Sequence, residues 1–221
     1  MNSKKKVSMA VVKRLPRYYR YLADLLKLGI IRISSKELSD RMGTTASQIR
    51  QDLNCFGGFG QQGYGYNVEV LYNEIGKILG LQNEYRTVIL GAGNMGQALA
   101  NYANFEKRGY KIVGIFDIRP EIIGKKIKDI EVMHMDKFED FVKTHRVSIA
   151  MITVPYEKTP EVATRAARAG IKGLWNFSPM DLEIPYDVVI ENVHLSDGLM
   201  VLGYCLNEKL QNQKGKGNKI V

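Results

Sequence analysis

The stretch RTVILGAGNMGQALANYANF, residues 86–105, constrains the fold of this chain more than any other part of the sequence. A short apolar run with a β-branched start precedes its glycines, and a run of helix-forming residues follows them. Such an apolar run is typical of a parallel strand buried on both faces. The stretch therefore predicts a strand, a tight glycine turn and a helix that together extend over residues 86–105.

The segment GAGNMG matches the pattern G-x-G-x-x-G at Gly91, Gly93 and Gly96. In this pattern the first glycine permits the tight turn, the second lets a pyrophosphate approach the backbone, and the third lets helix and strand pack closely. The N-terminal amides of the following helix would face the phosphates. The predicted dinucleotide-binding turn consists of Gly91, Ala92, Gly93, Asn94, Met95 and Gly96.

A second predicted strand, KIVGIFD, ends in Asp117, which lies 21 residues after Gly96. An acid at this distance from the glycine turn bonds the adenosine ribose hydroxyls of a dinucleotide. Its negative charge would also repel a 2′-phosphate, so the spacing favours NAD(H) over NADP(H). An acidic loop residue that merely follows a strand fits the same position.

Three further strands are predicted at residues 147–154, 171–177 and 187–193, which gives an α/β fold with a largely parallel sheet. In such an open sheet a ligand binds beyond the carboxyl ends of the strands. The largely apolar wall expected there would favour the neutral reduced nicotinamide ring over the cationic oxidised ring. The cofactor site is therefore predicted to include Thr153, Val154, Pro155, Asn176, Phe177 and Ser178.

The N-terminal third predicts a helix over residues 17–28 and then two short helices. Ser34 followed by Glu37 forms a capping box for the first short helix, and Thr45 followed by Gln48 repeats this start for the second. The pair forms a helix-turn-helix pattern. A helix fits the major groove, where polar side chains contact bases and phosphates. The predicted contacts are Ser47, Gln48, Arg50, Gln51 and Asn54; an ordinary helical hairpin with a solvated outer face also fits.

The stretch FGGFGQQGYGYNVEV, residues 56–70, interleaves five glycines with aromatic residues. So many glycines indicate backbone geometry that other residues cannot adopt, as in a β-ribbon whose tip approaches DNA. A helix-turn-helix followed by such a ribbon is a winged helix. A flexible linker is the alternative, but the aromatic residues favour packing. The wing adds Gly60, Gln61, Tyr64 and Tyr66 to the predicted DNA contacts, and a helix over residues 70–81, with Ile78 facing inward, completes the domain.

The charge is concentrated in the first third of the chain. Residues 1–80 hold 13 Lys and Arg against 6 Asp and Glu, whereas residues 81–221 hold 19 against 17. A concentrated positive field attracts polyanions such as nucleic acid, although a solvated basic surface would look the same. Two cysteines, Cys55 and Cys205, are too few for a disulfide framework and fit a reducing cytosol, and no apolar run reaches the length of a membrane span. We therefore expect a cytoplasmic protein.

Little of the chain remains for catalysis once the nucleotide fold is assigned. No large insertion could hold a substrate, no metal-ligand spacing is present, and His134, His145 and His194 are poorly placed as general bases. We therefore predict no catalytic residue, no metal and no enzymatic activity. The last predicted helix carries apolar residues on one side, which would dock on a partner subunit or on the helix's own domain. These residues are Leu199, Leu202, Cys205, Leu206 and Leu210.

The whole pattern resembles the Rex family of bacterial redox-sensing transcriptional repressors. The resemblance lies in ISSKELSDRMGTTASQIRQDL, FGGFGQQGYGYNV, GAGNMGQAL, GIFD, TVP and GLWNFSP. It implies a winged-helix DNA-binding domain at residues 1–80, a Rossmann-like NAD(H)-binding domain at 81–195, and a domain-swapped helix with a basic tail at 196–221. It also implies a homodimer that binds twofold-symmetric operator DNA when the NADH/NAD+ ratio is low and that NADH, the stronger effector, releases.

The resemblance further assigns allosteric coupling to an arginine on the first helix and a tyrosine on the helix after the glycine turn. Arg20 and Tyr102 match these positions, whereas His194 in ENVH stands where the family often has an acid. The wing reads Gln61 and Gln62 where the family is often basic. Two other functions remain open: a small NAD-dependent dehydrogenase with a basic accessory domain, and a CoA- or nucleotide-binding subunit of a ligase.

Overall fold

A computed structural model of the chain describes residues 7–57, 59–61 and 64–217. The chain divides into two compact units, Met1–Asn83 and Glu84–Val221. The sequence placed the first domain boundary three residues earlier, between residues 80 and 81.

In its described residues, unit 1 combines four helices with a small antiparallel sheet. Its helices are α1 (Met9–Lys27), α2 (Ser35–Met42), α3 (Ala46–Asn54) and α4 (Val68–Ile78). Its strands are β1 (Arg32–Ile33), β2 (Gly60–Gln61) and β3 (Gly65–Asn67), in the order β1-β3-β2. The described residues thus form a helix-turn-helix pair followed by a short ribbon, which is the winged-helix arrangement that the sequence predicted.

The predicted caps fix the two short helices. The Ser34 side chain accepts a hydrogen bond from the Glu37 amide at 3.1 Å, while the Glu37 carboxylate accepts one from the Ser34 amide at 2.8 Å. Gly43 then ends α2 in the left-handed region at φ 60°. Thr45 caps α3 through a 3.1 Å bond from the Gln48 amide. These bonds satisfy amides that a helix start leaves without a partner, so both predicted starts are confirmed.

Helix α1 is longer than the predicted helix over residues 17–28. It begins at Met9 under the cap of Ser8 and contains Pro16. The buried face continues toward the N-terminus through Val11 and Leu15 at helical spacing. Because this packing outweighs the backbone bond that Pro16 cannot make, the helix continues through the proline.

The apolar faces of the four helices meet in one core, which includes Leu22, Leu38, Ile49 and Leu71. The expectation that Ile78 faces inward is wrong, since its side chain is 37% exposed at the last turn of α4.

The part of unit 2 that the structure describes is a seven-stranded sheet with helices. Its strands are β4 (Tyr85–Leu90), β5 (Tyr110–Asp117), β6 (Lys126–Ile127), β7 (Ile130–His134), β8 (Ile149–Ile152), β9 (Gly173–Asn176) and β10 (Val189–Asn192), in the order β10-β9-β8-β4-β5-β7-β6. All neighbours pair in parallel except β6, which is antiparallel to β7. Its helices are α5 (Asn94–Ala100), α6 (Phe138–His145), α7 (Thr159–Arg168) and α8 (Leu195–Gly217).

Alternate residues of the central strand β4 support both faces of the sheet. Val88 and Leu90 pack into one cluster with Phe116, whereas Ile89 packs into another with Ile115. Strand β4 pairs with β5 on one side and with β8 on the other. The strand order therefore reverses between β4 and β8. Open α/β sheets bind ligands in the crevice that forms at such a point, beyond the carboxyl ends of the strands.

Helix α5 ends at Ala100 rather than near residue 105. Asn101 is its C-cap, and Tyr102 lies in the turn that follows, ahead of a 3₁₀ turn at Glu106–Arg108. The prediction that Tyr102 lies on the helix is therefore wrong by two residues. The Asn101 side-chain amide donates to the Gln97 carbonyl at 2.9 Å, and such a local bond competes with continuation of the helix.

Helix α8 carries its apolar side chains in solvent. Leu199, Leu202 and Tyr204 are 70%, 61% and 67% exposed, and so are the neighbouring Met200 and Val201 at 65% and 64%. Met200, Val201 and Tyr204 thus add exposed apolar surface outside the single side that the sequence predicted. Within the described ranges, no helix combines the length and the apolar character that crossing a membrane requires.

Candidate dinucleotide and DNA sites

The three glycines of the predicted turn occupy three different environments. Gly91 has φ +104°, and a Cβ there would lie 2.8 Å from the Thr153 carbonyl oxygen. A Cβ on Gly96 would overlap the Gly91 carbonyl oxygen. A Cβ on Gly93 would meet nothing within 4 Å. Gly91 and Gly96 are therefore required by the fold, whereas Gly93 borders open space that a ligand can enter.

A cavity of about 560 Å³ opens beside this turn. Six of the predicted cofactor residues line it: Gly91, Gly93, Asp117, Thr153, Val154 and Pro155. The lining also includes eight residues that were not predicted from the sequence: Phe116, Ile118, Arg119, Met135, Lys158, Glu161, Val162 and Arg165. Several of these lie on α7 or just before it, and only the packing of that helix beside the sheet brings them to the strand ends.

Asp117 at the end of β5 is tightly bound by its surroundings. Its carboxylate accepts a 2.7 Å bond from the Ala92 amide and two bonds from the Arg119 guanidinium, at 3.1 and 3.0 Å. Burial raises the pKa of this carboxyl, but the bonds from Arg119 and from the Arg119 and Ala92 amides outweigh burial and lower its pKa to about 2. The side chain is an ion at neutral pH, and it ties the glycine turn to the neighbouring strand.

Thr153, the residue after β8, bonds to the end of β4 and to the glycine turn. Its hydroxyl donates to the Gly91 carbonyl oxygen at 2.7 Å, and its amide donates to the Leu90 carbonyl oxygen at 2.9 Å. The turn is thus held from both neighbouring strands, by Asp117 and by Thr153.

Seven predicted cofactor residues lie outside the lining of the cavity, and three of them, Asn176, Phe177 and Ser178, follow strand β9 or end it. Asn176 is fully buried, and its amide donates to the Met180 carbonyl and the Asn192 side chain, both at 2.9 Å, while its oxygen accepts from the Ser178 amide. Its polar atoms are used inside the fold, so the prediction of a cofactor contact is corrected. Ser178 is 2% exposed, and Phe177 packs edge-to-face on Trp175 at 4.6 Å.

The remaining predicted turn residues differ in exposure. Ala92 is buried and contributes the amide that Asp117 binds, Asn94 is exposed, and Met95 is half-buried.

Helix α3 presents four of its five predicted DNA-contacting side chains to solvent. These four are Ser47, Arg50, Gln51 and Asn54. The Arg50 guanidinium donates to the Ser35 hydroxyl on α2 at 3.1 Å, which links the two helices at their exposed side. Gln48, the fifth, is half-buried.

The ribbon places its two tyrosines on opposite sides. Tyr64 is 70% exposed, and its carbonyl accepts from Arg32 at 3.2 Å. Tyr66 is 8% exposed because the alternation of β3 turns its ring into the core. The predicted DNA contact of Tyr66 is therefore corrected to a core position. The backbones of Gly60 and Gln61 pair with β3, whereas Gln62 lies outside the described residues.

A buried charged cluster, which was not predicted from the sequence, lies between α1 and α3. Asp52 is fully buried and accepts from Arg14 at 2.7 Å through both carboxylate oxygens, from Tyr18 at 2.8 Å and from Gln48 at 2.7 Å. The only sequence signal was an acid spaced i+4 from Gln48, together with Arg14 and Tyr18 spaced i and i+4 on a helix.

The three proposed coupling residues lie at surfaces of their own units. Arg20 is exposed on α1. Tyr102 is 46% exposed and packs edge-to-face on Phe105 at 4.7 Å. The His194 Nε2 lies 3.0 Å from an Asp181 carboxylate oxygen, and this hydrogen bond raises the pKa of the imidazole.

The other histidines make local contacts. His134 Nδ1 accepts from the Asp136 amide, and His145 stacks on Phe141 at 3.8 Å. The described part of the chain contains no group of three or more His, Cys, Asp or Glu residues arranged to hold a metal ion.

Two family models match the chain. A model described as CoA binding domain matches residues 82–180, and one described as putative DNA-binding protein N-terminus matches residues 6–54. The two matches follow the division of the chain into its two units.

Full-length relatives share more than half of their residues with this chain. The redox-sensing transcriptional repressor Rex of Thermoanaerobacter pseudethanolicus is 58% identical over 98% of this chain and 97% of the relative. The Rex protein of Clostridium perfringens is 58% identical over 94% of this chain and 98% of the relative.

Solved structures of RSP, a Rex-family repressor, superpose on the chain. RSP in complex with β-NAD+ and operator DNA is 57% identical, covers 97% of this chain and 99% of its own, and has a TM-score of 0.87. RSP in complex with β-NADH is 55% identical over 95% of this chain and 99% of its own, with a TM-score of 0.88. The present chain belongs to the Rex family of redox-sensing transcriptional repressors.

Proposed function

We propose that this chain represses transcription by binding operator DNA through unit 1 and is released by NADH bound in unit 2. The observation that carries the proposal is the open space at Gly93, which lies beside a cavity of about 560 Å³. At Gly91 and Gly96, by contrast, a Cβ would clash with neighbouring backbone atoms. A turn in which only the middle glycine faces space fits a pyrophosphate close to the backbone. RSP binds NAD+ and NADH in its solved complexes.

The cavity fits NAD(H) in its polar and its apolar parts. The Asp117 carboxylate, which remains ionised, would accept from ribose hydroxyls and repel a 2′-phosphate. Val154 and Pro155 supply an apolar wall near the strand ends. When bound, the cofactor carries the redox state of the cell in its nicotinamide ring, and the chain's residues would bind and orient it.

Unit 1 would bind DNA through α3 and the ribbon. Ser47, Arg50, Gln51 and Asn54 are exposed on α3, where a helix in the major groove can present donors and acceptors to base edges. Gly60, Gln61 and Tyr64 of the ribbon would contact the DNA backbone. The excess of basic residues in residues 1–80 would supply attraction for phosphates.

The direction of the response follows from the relatives. RSP has been solved with NAD+ together with operator DNA, and separately with NADH. We therefore propose that the NAD+ form of this chain binds the operator and that NADH stabilises a form that does not. Arg20, Tyr102 and His194 are the proposed coupling residues.

We further propose that the cofactor is a bound signal and that the chain is not an enzyme. The described lining of the cavity includes no histidine, cysteine or tyrosine as a general acid or base. Its lysine, Lys158, lies 3.3 Å from Glu161 in an ion pair.

A second copy of the chain is the proposed partner of α8. This helix exposes apolar residues around its circumference, a surface that monomeric proteins rarely leave in water. A swapped pair of such helices would form a homodimer with twofold symmetry, which matches a twofold-symmetric operator. Because its target is chromosomal DNA, we propose that the dimer acts in the cytoplasm.

Selection from a randomised duplex library tests this proposal. The full chain with NAD+ should enrich a twofold-symmetric site, and fluorescence anisotropy should then show release by NADH but little release by NADPH. Binding that is indifferent to NADH would overturn the sensor function. Steady NADH consumption with a carbonyl substrate would instead support the dehydrogenase alternative.

A further inference from the structure

The carboxylate of Asp52 lies between α3 and α1. The residue is fully buried, yet α3 also carries the exposed Arg50 and Asn54 on its other faces. A buried charge is costly unless it is paired and hydrogen-bonded. Asp52 meets that condition with four hydrogen bonds from three side chains.

Two of these partners come from α1. Arg14 donates to both carboxylate oxygens at 2.7 Å, and the Tyr18 hydroxyl donates to one of them at 2.8 Å. Burial raises the pKa of Asp52, but the bonds from Arg14, Tyr18 and Gln48 outweigh it and lower the pKa. The group is therefore an ion at neutral pH and can only accept hydrogen bonds.

The third partner, Gln48, lies on the DNA-facing helix itself. Its Nε2 donates to an Asp52 carboxylate oxygen at 2.7 Å. A glutamine amide can usually flip, which exchanges its oxygen and its NH₂ group. Here a flip would set the amide oxygen against a carboxylate oxygen, so Asp52 permits only one orientation. The amide oxygen and the second N–H remain for another partner.

An oxygen acceptor beside an N–H donor matches the major-groove edge of adenine, which offers an N6 amino donor and an N7 acceptor. Guanine offers two acceptors at its major-groove edge, so it would set one of them against the Gln48 oxygen. A glutamine that can flip freely would discriminate less, because its NH₂ group alone can serve guanine.

We propose that Asp52 is a positioning residue for sequence readout, which fixes the Gln48 amide so that it recognises adenine at one position of each operator half-site. This inference rests on the proposed function, since it requires α3 to enter the major groove. It goes further in assigning the recognised base and the buried residue that sets the preference.

Operator scanning with the full-length protein tests the proposal. Each base pair of the selected operator is replaced in turn, and the dissociation constant is measured with NAD+. The wild type should prefer adenine at one half-site position by roughly 5- to 150-fold, the range of a good bidentate contact. Gln48→Ala should reduce that preference to within about twofold at this position alone. Asp52→Asn should remove the adenine preference at the same position. The asparagine amide can either accept from or donate to Gln48, so it would no longer fix the orientation of the Gln48 amide.

Tyr18→Phe is the matched control. It deletes one hydrogen bond to Asp52 but leaves the bond from Gln48 intact. It should lower the melting temperature while the base preference stays unchanged. A base preference that survives in Asp52→Asn but not in Gln48→Ala would overturn the proposal. An Asp52→Asn protein that loses affinity equally at every operator position would also overturn it, since that result would indicate a purely structural role for Asp52.

Nuclear magnetic resonance of the wild type keeps the proposal testable if Asp52→Asn does not fold. The Gln48 side-chain amide is assigned as the signal missing in Gln48→Ala, and that of the exposed Gln51 is assigned in the same way. The Gln48 amide protons should exchange with water more slowly than those of Gln51, and equal exchange would contradict the proposal. If the protein binds the operator and responds to NADH but fails these tests, only the role of Asp52 is refuted. If it does not bind DNA, the proposed function itself is refuted.

Discussion

The carboxylate of Asp117 accepts a 2.7 Å hydrogen bond from the backbone amide of Ala92, which ties the end of β5 to the glycine turn after β4. The same carboxylate is held by Arg119. The residue predicted to bind the ribose therefore also shapes the turn that would bind the phosphates. The predicted ribose contact and the stability of unit 2 would therefore depend on the same side chain.

This link predicts an acid-dependent loss of stability. The folded pKa of about 2 lies below the ordinary value of 3.8, so the carboxylate stabilises the fold above the unfolded pKa and loses its contribution as pH falls through the folded pKa. The shift corresponds to about 2 kcal/mol. Asp117→Asn should lack this contribution from neutral pH down to about pH 5, so its free energy of unfolding should be lower than that of the wild type. Urea unfolding of both proteins between about pH 5 and about pH 2 would show this difference shrinking as the pH falls. Curves that differ by a constant amount over this range would contradict the role of Asp117.

Two glycine substitutions should separate the cofactor site from the fold. Gly93→Ala places a Cβ in open space at an ordinary φ of −73°, so the free energy of unfolding should change by less than about 1 kcal/mol. NADH affinity, measured by isothermal titration calorimetry, should nevertheless fall by roughly 5- to 150-fold, since overpacking costs roughly 1–3 kcal/mol.

Gly96→Ala is the matched control for that substitution. Its Cβ would overlap the Gly91 carbonyl oxygen, so it should destabilise the free protein by about 3 kcal/mol or more. If Gly93→Ala instead binds NADH as the wild type does, the space beside Gly93 is not a phosphate site.

Removal of the Arg50 guanidinium should weaken DNA binding selectively. Arg50 is exposed on α3 and is held toward α2 by Ser35. Arg50→Ala should cost about 1–3 kcal/mol of operator binding if it contacts a base, as measured by fluorescence anisotropy, while NADH affinity stays unchanged. Lys126→Ala, which removes an exposed charge from unit 2, is the control and should leave operator affinity nearly unchanged. Equal losses in both variants would indicate only a general effect of charge.

The pair formed by His194 and Asp181 predicts a shifted titration. The hydrogen bond from the His194 ring to the Asp181 carboxylate raises the pKa of His194, so the imidazole should stay protonated at a higher pH than an ordinary histidine. Any stabilisation by this pair is present below the unfolded pKa and is lost as pH rises through the folded one. Asp181→Asn should lower the titration midpoint of His194, as followed by nuclear magnetic resonance. An unchanged midpoint would show that the pair does not form in solution.

Local signals accounted for much of the fold. The capping box of Ser34 and Glu37, the Thr45 cap and the glycine pattern depend on spacings of a few residues, and each was predicted and then observed. Tyr66 and Asn176 were misassigned because their surroundings depend on parts of the chain that are distant in sequence. Tyrosine and asparagine are both common in binding sites. The alternation of β3, however, turns the Tyr66 ring into the core, and Asn192 on the neighbouring strand β10 accepts a hydrogen bond from the Asn176 side chain.

The sequence by itself determined the starts of α2 and α3 and the place of the glycine turn, because caps and glycine requirements act between residues close in the chain. Only the tertiary structure decided which distant groups meet. Arg14 and Asp52 are 38 residues apart, and Ala92 and Asp117 are 25 apart. Their hydrogen bonds form because helix packing and parallel strand pairing bring separated segments together, and no local pattern specifies those contacts.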